Sequence, residues 1–271
     1  MTSWNEARDE IVRSQARSII RELELQDPDE IKIESIAFLR GALVLERPLN
    51  GCEGRVIRNG SRVYITVDSA IRQLGRKRFA IAHELGHVEL HMKEESSQLS
   101  LFQDQKLSSY WYTKCHPHEQ EANIFASELL MPEVMFKSRC DGGEPSLEDV
   151  ERLAQQFQTT LTATARRYVE LSSFDCALIY TENGKRKWFV KSEDFPLKVN
   201  LGYLSSEKAM RILRGEESPK EMSSGHATDW FEGTGVHPHL QVLEDSRKLG
   251  KYDSMLTLVW LDEELETDSW Y

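Results

Sequence analysis

His83, Glu84 and His87 stand in the order His83-Glu84-Leu85-Gly86-His87, an H-E-x-x-H spacing inside a helix-compatible run over residues 76–92. Side chains four apart on an α-helix lie nearly over one another, so the two imidazoles point the same way and can share one metal ion. Glu84 neighbours the first of them, where a carboxylate can take a proton from water. That combination supports metal-assisted hydrolysis, with zinc as the expected ion and manganese as the alternative. The flanking Phe79, Ile81, Ala82, Leu85, Val88 and Leu90 predict a buried helix. Gly86 costs about 1 kcal/mol of helix propensity, which points to close backbone packing or to substrate access.

Two histidines do not complete a catalytic zinc site, which takes three protein ligands and keeps one position open. The best source of the third is the stretch His116-Pro117-His118-Glu119-Gln120-Glu121-Ala122-Asn123. Pro117 suits a first helical turn, and Glu119 and Asn123, four apart, share a face. Glu119 is the first choice as ligand, with Asn123 hydrogen-bonding a ligand imidazole. Glu121, roughly 160° around the helix from Asn123 at 100° per residue, is the second choice. His91, Tyr110, Tyr112, His116 and His118 are candidate oxyanion donors or substrate contacts, and the sequence does not choose among them.

The elements that must position these groups follow from periodicity and turn signals. Residues 3–25 look helical, with Ile11, Ile19, Ile20 and Leu23 on a rough apolar face; Ile31 to Leu39 is strand or short helix. Residues 54–58 and 62–67 form a hairpin around Asn59-Gly60, and Asp68-Ser69 is expected to cap the move into the metal helix. A long polar loop with isolated aromatics spans 94–114. Two short helices are expected over 146–171, and a second hairpin turns at Asn183-Gly184. A helix near 206–214 and late strands near 240–243 and 255–261 complete a separate α/β unit.

Composition narrows the class. The chain has 271 residues, 39% hydrophobic and 29% charged, as an ordinary globular protein does. A net charge of −11 disfavours nucleic-acid binding by the whole protein. No run approaches the roughly 18 apolar residues of a membrane span, and residues 1–10 lack the apolar core of a secretory signal. Scattered Cys52, Cys115, Cys140 and Cys176 suit free thiols in a reducing cytoplasm. Cys115, near Glu119, is read as a loop thiol rather than a metal-blocking one; His237-Pro238-His239 as an exposed loop; Lys185-Arg186-Lys187 as a solvated turn; and Trp188, Trp230 and Trp260 as core.

The run Arg78-Phe79-Ala80-Ile81-Ala82-His83-Glu84-Leu85-Gly86-His87 resembles the signature of the ImmA/IrrE family of metallopeptidases. The run from Glu119 to Pro132, with Ala122-Asn123, Phe125-Ala126 and Leu129-Leu130-Met131-Pro132, is similar to that family's second motif. The resemblance covers roughly residues 30–135, and Leu147 to Leu171 resembles the helix-turn-helix-like segment that follows in many members. It implies a gluzincin-like site with His83, His87 and Glu119 as ligands and Glu84 as base. It also implies a substrate class: helix-turn-helix repressors of the Cro/C1 type, cut to relieve repression in stress or mobile-element responses. Longer members carry C-terminal domains, some GAF-like.

The expected fold is α+β: a small antiparallel sheet packed on the metal-binding helices, zincin-like, over residues 1–140. A helix-turn-helix-like module follows over 141–172, then a C-terminal α/β domain for sensing or protein binding over 173–271. Direct DNA contact is disfavoured, because Arg166 and Arg167 are opposed by Glu148, Asp149, Glu151 and Glu170. The expected function is limited cleavage of a repressor in the cytoplasm. The alternatives are a metal-stabilised regulator without activity and a toxin–antitoxin or phage-defence component that binds a partner.

Overall fold

A computed structural model describes residues 2–92, 102–103, 116–140, 144–218, 222–250 and 253–261. The chain divides into two compact units, one of Met1–Phe136 with Ala154–Thr160, the other of Lys137–Leu153 with Leu161–Tyr271. No helix among the described residues is long and apolar enough to cross a membrane.

The first unit opens with α1 (Thr2–Glu22) and α2 (Ile33–Leu39), followed by β1 (Ala42–Arg47), β2 (Gly54–Asn59) and β3 (Arg62–Asp68). Then come α3 (Leu74–His91), β4 (Phe102–Gln103) and α4 (Pro117–Leu130). The architecture is α+β as expected, with one difference in the sheet. Its order is β1-β3-β2-β4; β2 is antiparallel to β3 and β4, but β1 joins β3 in parallel. The sequence showed only the local hairpin. A parallel partner needs a crossover, and its register is set by contacts distant in sequence.

Helix α3 is the centre of this unit. It packs on α4, α2, β2 and β3, and every residue from Arg78 to Glu89 is buried. A helix enclosed on all sides has no solvated stripe, which is why its apolar residues show little one-sided pattern. It begins at N-cap Gln73, five residues after the expected cap. Asp68 does something else: its Oδ1 accepts from the backbone of Leu49 and Ala70 and shapes the turn before the helix. Glu89 fixes the far end of α3 by pairing with both Nε and Nη2 of Arg40 at 2.9 Å.

Helix α1 also departs from its expected face. Val12, Ala16, Ile19 and Ile20 are buried, while Ile11 is 69% exposed. On its other positions Arg8 pairs with Glu121 of α4, and Arg13 and Arg17 reach the buried Glu128 of α4. Ion pairs thus fasten α1 along α4. α4 stops before Pro132, as its sequence predicts, and α5 (Glu133–Cys140), which no expectation covers, follows at once.

α6 (Leu147–Phe157) and α7 (Leu161–Leu171) form as expected. Ser146 caps α6 by accepting from the backbone of Asp149. Arg167 is buried and paired with Glu170, and Arg166 lies over the Trp188 ring.

The second unit continues with β5 (Cys176–Glu182), β6 (Lys185–Lys191), β7 (Lys198–Val199), α8 (Glu207–Arg214), β8 (Ser223–His226), β9 (Phe231–Glu232), β10 (Gln241–Lys248) and β11 (Ser254–Trp260). Its main sheet has the order β6-β5-β11-β10-β8 and is antiparallel throughout. The β5–β6 turn at Asn183-Gly184 has two positive φ angles, the geometry that matches strand twist in a tight hairpin. Trp230 and Phe195 anchor the core, and Trp260 is buried too. One expectation fails here. Arg186 is not in a solvated turn but buried, donating to the backbone oxygens of Asp229, Tyr203 and Gly202 and lying over Trp230.

Candidate metal centre

α3 and α4 bring the predicted groups together. The helices approach closely because Gly86 faces Ala122: a β-carbon at Gly86 would come within 3.1 Å of the Ala122 Cα. Of the two explanations for that glycine, close backbone packing is the one observed. The approach sets α4 residues 119 and 123 opposite the two imidazoles.

His83, His87 and Glu119 each offer one donor atom, all within 4.8 Å of one another. His83 Nε2 lies 3.2 Å from Glu119 Oε2 and 3.1 Å from His87 Nε2, and His87 Nε2 lies 3.3 Å from Glu119 Oε1. Zinc–nitrogen bonds of about 2.0–2.1 Å in a tetrahedron place neighbouring donors about 3.3–3.4 Å apart. Two imidazole nitrogens and a carboxylate at these spacings, with both histidines buried, fit a small divalent cation. Of the two glutamates left open by the sequence, Glu119 is the one beside this pair.

The electrostatics agree. Burial pushes His87 down to about 4, against the hydrogen bond to Glu119, so its imidazole is neutral and has a lone pair to give. Burial also works to raise the Glu119 carboxyl, but its close contacts with the His83 and His87 imidazoles together outweigh it and hold Glu119 well below the usual carboxylate range. Asn123 is where it was expected: its Oδ1 lies 2.9 Å from His83 Nδ1, fixing that ring.

Glu84 is buried beside His83. Its carboxylate lies against Gly54 of β2, where a β-carbon would come within 2.6 Å of Glu84 Oε1. In the sequence Gly54 marks only the start of a strand. The signal available was a glycine at a strand position, which marks close approach of another group.

The remaining candidates separate. His91 lies on the Nδ1 side of His87, 3.0 Å away nitrogen to nitrogen, away from the donor triad. Its Nε2 lies 2.8 Å from Glu121 Oε2. Burial lowers His91, opposed by that bond; Glu121 is lowered by His91 and Arg8 in spite of burial. His118 stacks on His91 with centroids 4.1 Å apart, and His116 is exposed at the N-cap of α4. His91, His118 and Glu121 form a second group with donors within 4.8 Å. Tyr110, Tyr112 and Cys115, with the rest of the 94–114 loop apart from β4, lie outside the described residues, as do Gly142 and Gly143. His237 and His239 are exposed, 6.5 Å apart, and belong to neither metal-binding group among the described residues. A cavity of about 570 Å³ near Cys52, Glu53, Arg72 and Arg76 includes none of the predicted site residues.

Fold and site together define an α+β protein with a His/Glu group that could hold a metal ion. Residues 40–168 match the model of the peptidase M78 family, described as the IrrE N-terminal-like domain. No curated protein matches the sequence. Among solved structures it is similar to a Mycobacterium tuberculosis transcriptional regulator, at 12% identity and a TM-score of 0.59, over 96% of this chain and 79% of that one. At that identity the likeness is one of fold.

Proposed function

We propose that this protein is a metal-dependent endopeptidase that makes a limited cut in a helix-turn-helix repressor of the Cro/C1 type. The convergence of His83, His87 and Glu119 on one point, with Glu84 alongside, is the observation that carries the catalytic part of this reading. The match of residues 40–168 to the peptidase M78 family model supports it. The repressor as substrate rests on the family resemblance, and the fold relative's description as a transcriptional regulator accords with such a role.

His83, His87 and Glu119 would hold the ion, zinc or manganese. The ion would supply Lewis acidity at the scissile carbonyl and at water. The residues do the rest. Asn123 holds the His83 ring so that Nε2 faces the shared point. Glu84 accepts the proton of the attacking water and passes it to the departing amine nitrogen. Gly54 leaves the space in which that carboxylate sits. Cytoplasmic action on a repressor fits a chain without a membrane-spanning helix among its described residues.

The test is Glu84→Gln against His83→Ala. Glu84→Gln is expected to keep the metal, measured by elemental analysis, and to lose repressor cleavage by about 10²–10⁴-fold, the usual weight of general acid–base catalysis. His83→Ala is expected to lose both. Full activity of Glu84→Gln would sink the mechanism. A second reading, a metal-stabilised regulator that binds its partner without cutting, is favoured by the naming of the fold relative as a regulator. An intact repressor in stable complex with the metal-loaded wild-type chain would decide for it.

A further inference from the structure

We propose that His91 and Glu121 are positioning residues for His87, forming a carboxylate–imidazole–imidazole chain that fixes the tautomer of that ligand. The inference rests on the reading of His87 as a metal ligand and extends it to two neighbouring residues.

The proton logic has one solution. His87 Nε2 faces His83 and Glu119, so as a ligand it presents a lone pair there, and the single proton of the neutral ring sits on Nδ1. That N–H points at Nδ1 of His91, 3.0 Å away, which must therefore accept. His91 then carries its own proton on Nε2, where it donates to Glu121 Oε2 at 2.8 Å. Every donor meets an acceptor, and the chain ends on a carboxylate, as chains behind metal-bound histidines do. Glu121 is in turn held by the Arg8 guanidinium of α1. His83 solves the same problem in one step through Asn123; His87 does it in two.

The rival is a second cation site on His91, His118 and Glu121. The stacking of the two rings argues against it. Imidazole lone pairs lie in the ring plane, and these planes are only 23° apart with centroids 4.1 Å apart. One ion cannot lie in both planes at bonding distance unless a ring turns. Both nitrogens of His91 already have partners.

The experiment measures zinc affinity and stoichiometry of the full chain by competition with a chromogenic chelator, and histidine ¹⁵N spectra of the zinc-loaded protein. His91→Leu is expected to weaken zinc binding about 10–100-fold, the range for outer partners of ligating histidines. His91→Asn, whose side-chain oxygen can accept from His87 Nδ1, recovers most of that loss. Glu121→Gln, which keeps the shape and loses the charge, falls between wild type and His91→Leu. The His87 Nδ1 signal carries its proton in wild type and shifts in His91→Leu.

Equal losses in the leucine and asparagine variants, or no loss in either, would overturn the proposal, because packing alone would then account for His91. Two zinc ions per chain, one of them abolished by His118→Ala, would overturn it in favour of the second site. No zinc in the wild-type chain would sink the metallopeptidase reading itself. Zinc in wild type with unchanged variants would sink only the positioning role.

Discussion

Each unit of the molecule buries a glutamate against a glycine. In the first unit Glu84 lies against Gly54; in the second, Glu244 of β10 lies against Gly225 of β8. Glu244 receives hydrogen bonds from the Ser206 hydroxyl and the Trp230 indole. Burial dominates and raises its pKa, although both hydrogen bonds work the other way. On α4 the half-buried Glu119 feels the same penalty, yet its pKa falls, because its partners are two imidazoles. Burial alone therefore does not mark a site. What matters is whether the neighbours can supply or share positive charge. Glu244 takes its hydrogen bonds from a hydroxyl and an indole, and its carboxyl belongs to the core; around Glu119 the partners are histidines and a cation fits.

Five substitutions sharpen or break this contrast. The largest effect is expected from Glu119→Ala, which removes a proposed ligand and lowers zinc affinity by more than the roughly 100-fold that outer partners contribute. Glu244→Gln should leave that affinity within about twofold, and an equal drop in both would erase the distinction. Next is Gly54→Ala. A methyl group 2.6 Å from Glu84 Oε1 must displace the base, and a shift of about 1 Å can cost about 10²-fold in rate with metal content unchanged. The matching Gly225→Ala meets Glu244 at 3.1 Å and should alter thermal stability alone.

Smaller in scale, Gly86→Ala presses on Ala122 and should destabilise the fold by about 1–3 kcal/mol in urea titrations, as overpacking does. An unchanged midpoint would mean that α3 and α4 part easily. The smallest effect is the pH response of Glu244. Its folded pKa is raised, so the folded state holds more protons between the ordinary value near 4.5 and the raised one. Stability then falls as pH rises through that window. Glu244→Gln should flatten this slope in thermal melts. Glu119 has the opposite sign: in the metal-free chain its contribution is present above about 4.5 and lost as pH falls.

The local parts of this site were legible in the sequence. H-E-x-x-H fixes two imidazoles on one face because helical geometry is local, and the 119/123 spacing does the same for α4. The elements were legible for that reason too, from α1 to the hairpin of β5 and β6. What was missed depends on contacts between segments far apart in the chain. Gly54 and Glu84 are thirty residues apart, and nothing near Gly54 announces the carboxylate. His91 continues the 83, 87 spacing by one more turn, and that signal was available. Spacing leaves it a candidate oxyanion donor or substrate contact, because it cannot tell which nitrogen of His87 the ring meets. Glu121, set apart by its angle on the helix, turned out to be buried against His91 and Arg8 rather than idle. Arg186 was read from its charged neighbours, while its burial depends on Trp230, more than forty residues on.

The grouping of Glu119, Glu121 and Asn123 within five residues of α4 has a kinetic consequence. One helix delivers a proposed ligand, the brace of His83 and the end of the His91 chain. None of these arrives until His83 and Glu119, 36 positions apart in the sequence, come together by loop closure, at an entropic cost on the order of 3 kcal/mol. Refolding should then show metal capture as a single late phase that coincides with the docking of α4, with no half-assembled intermediate that holds the ion weakly.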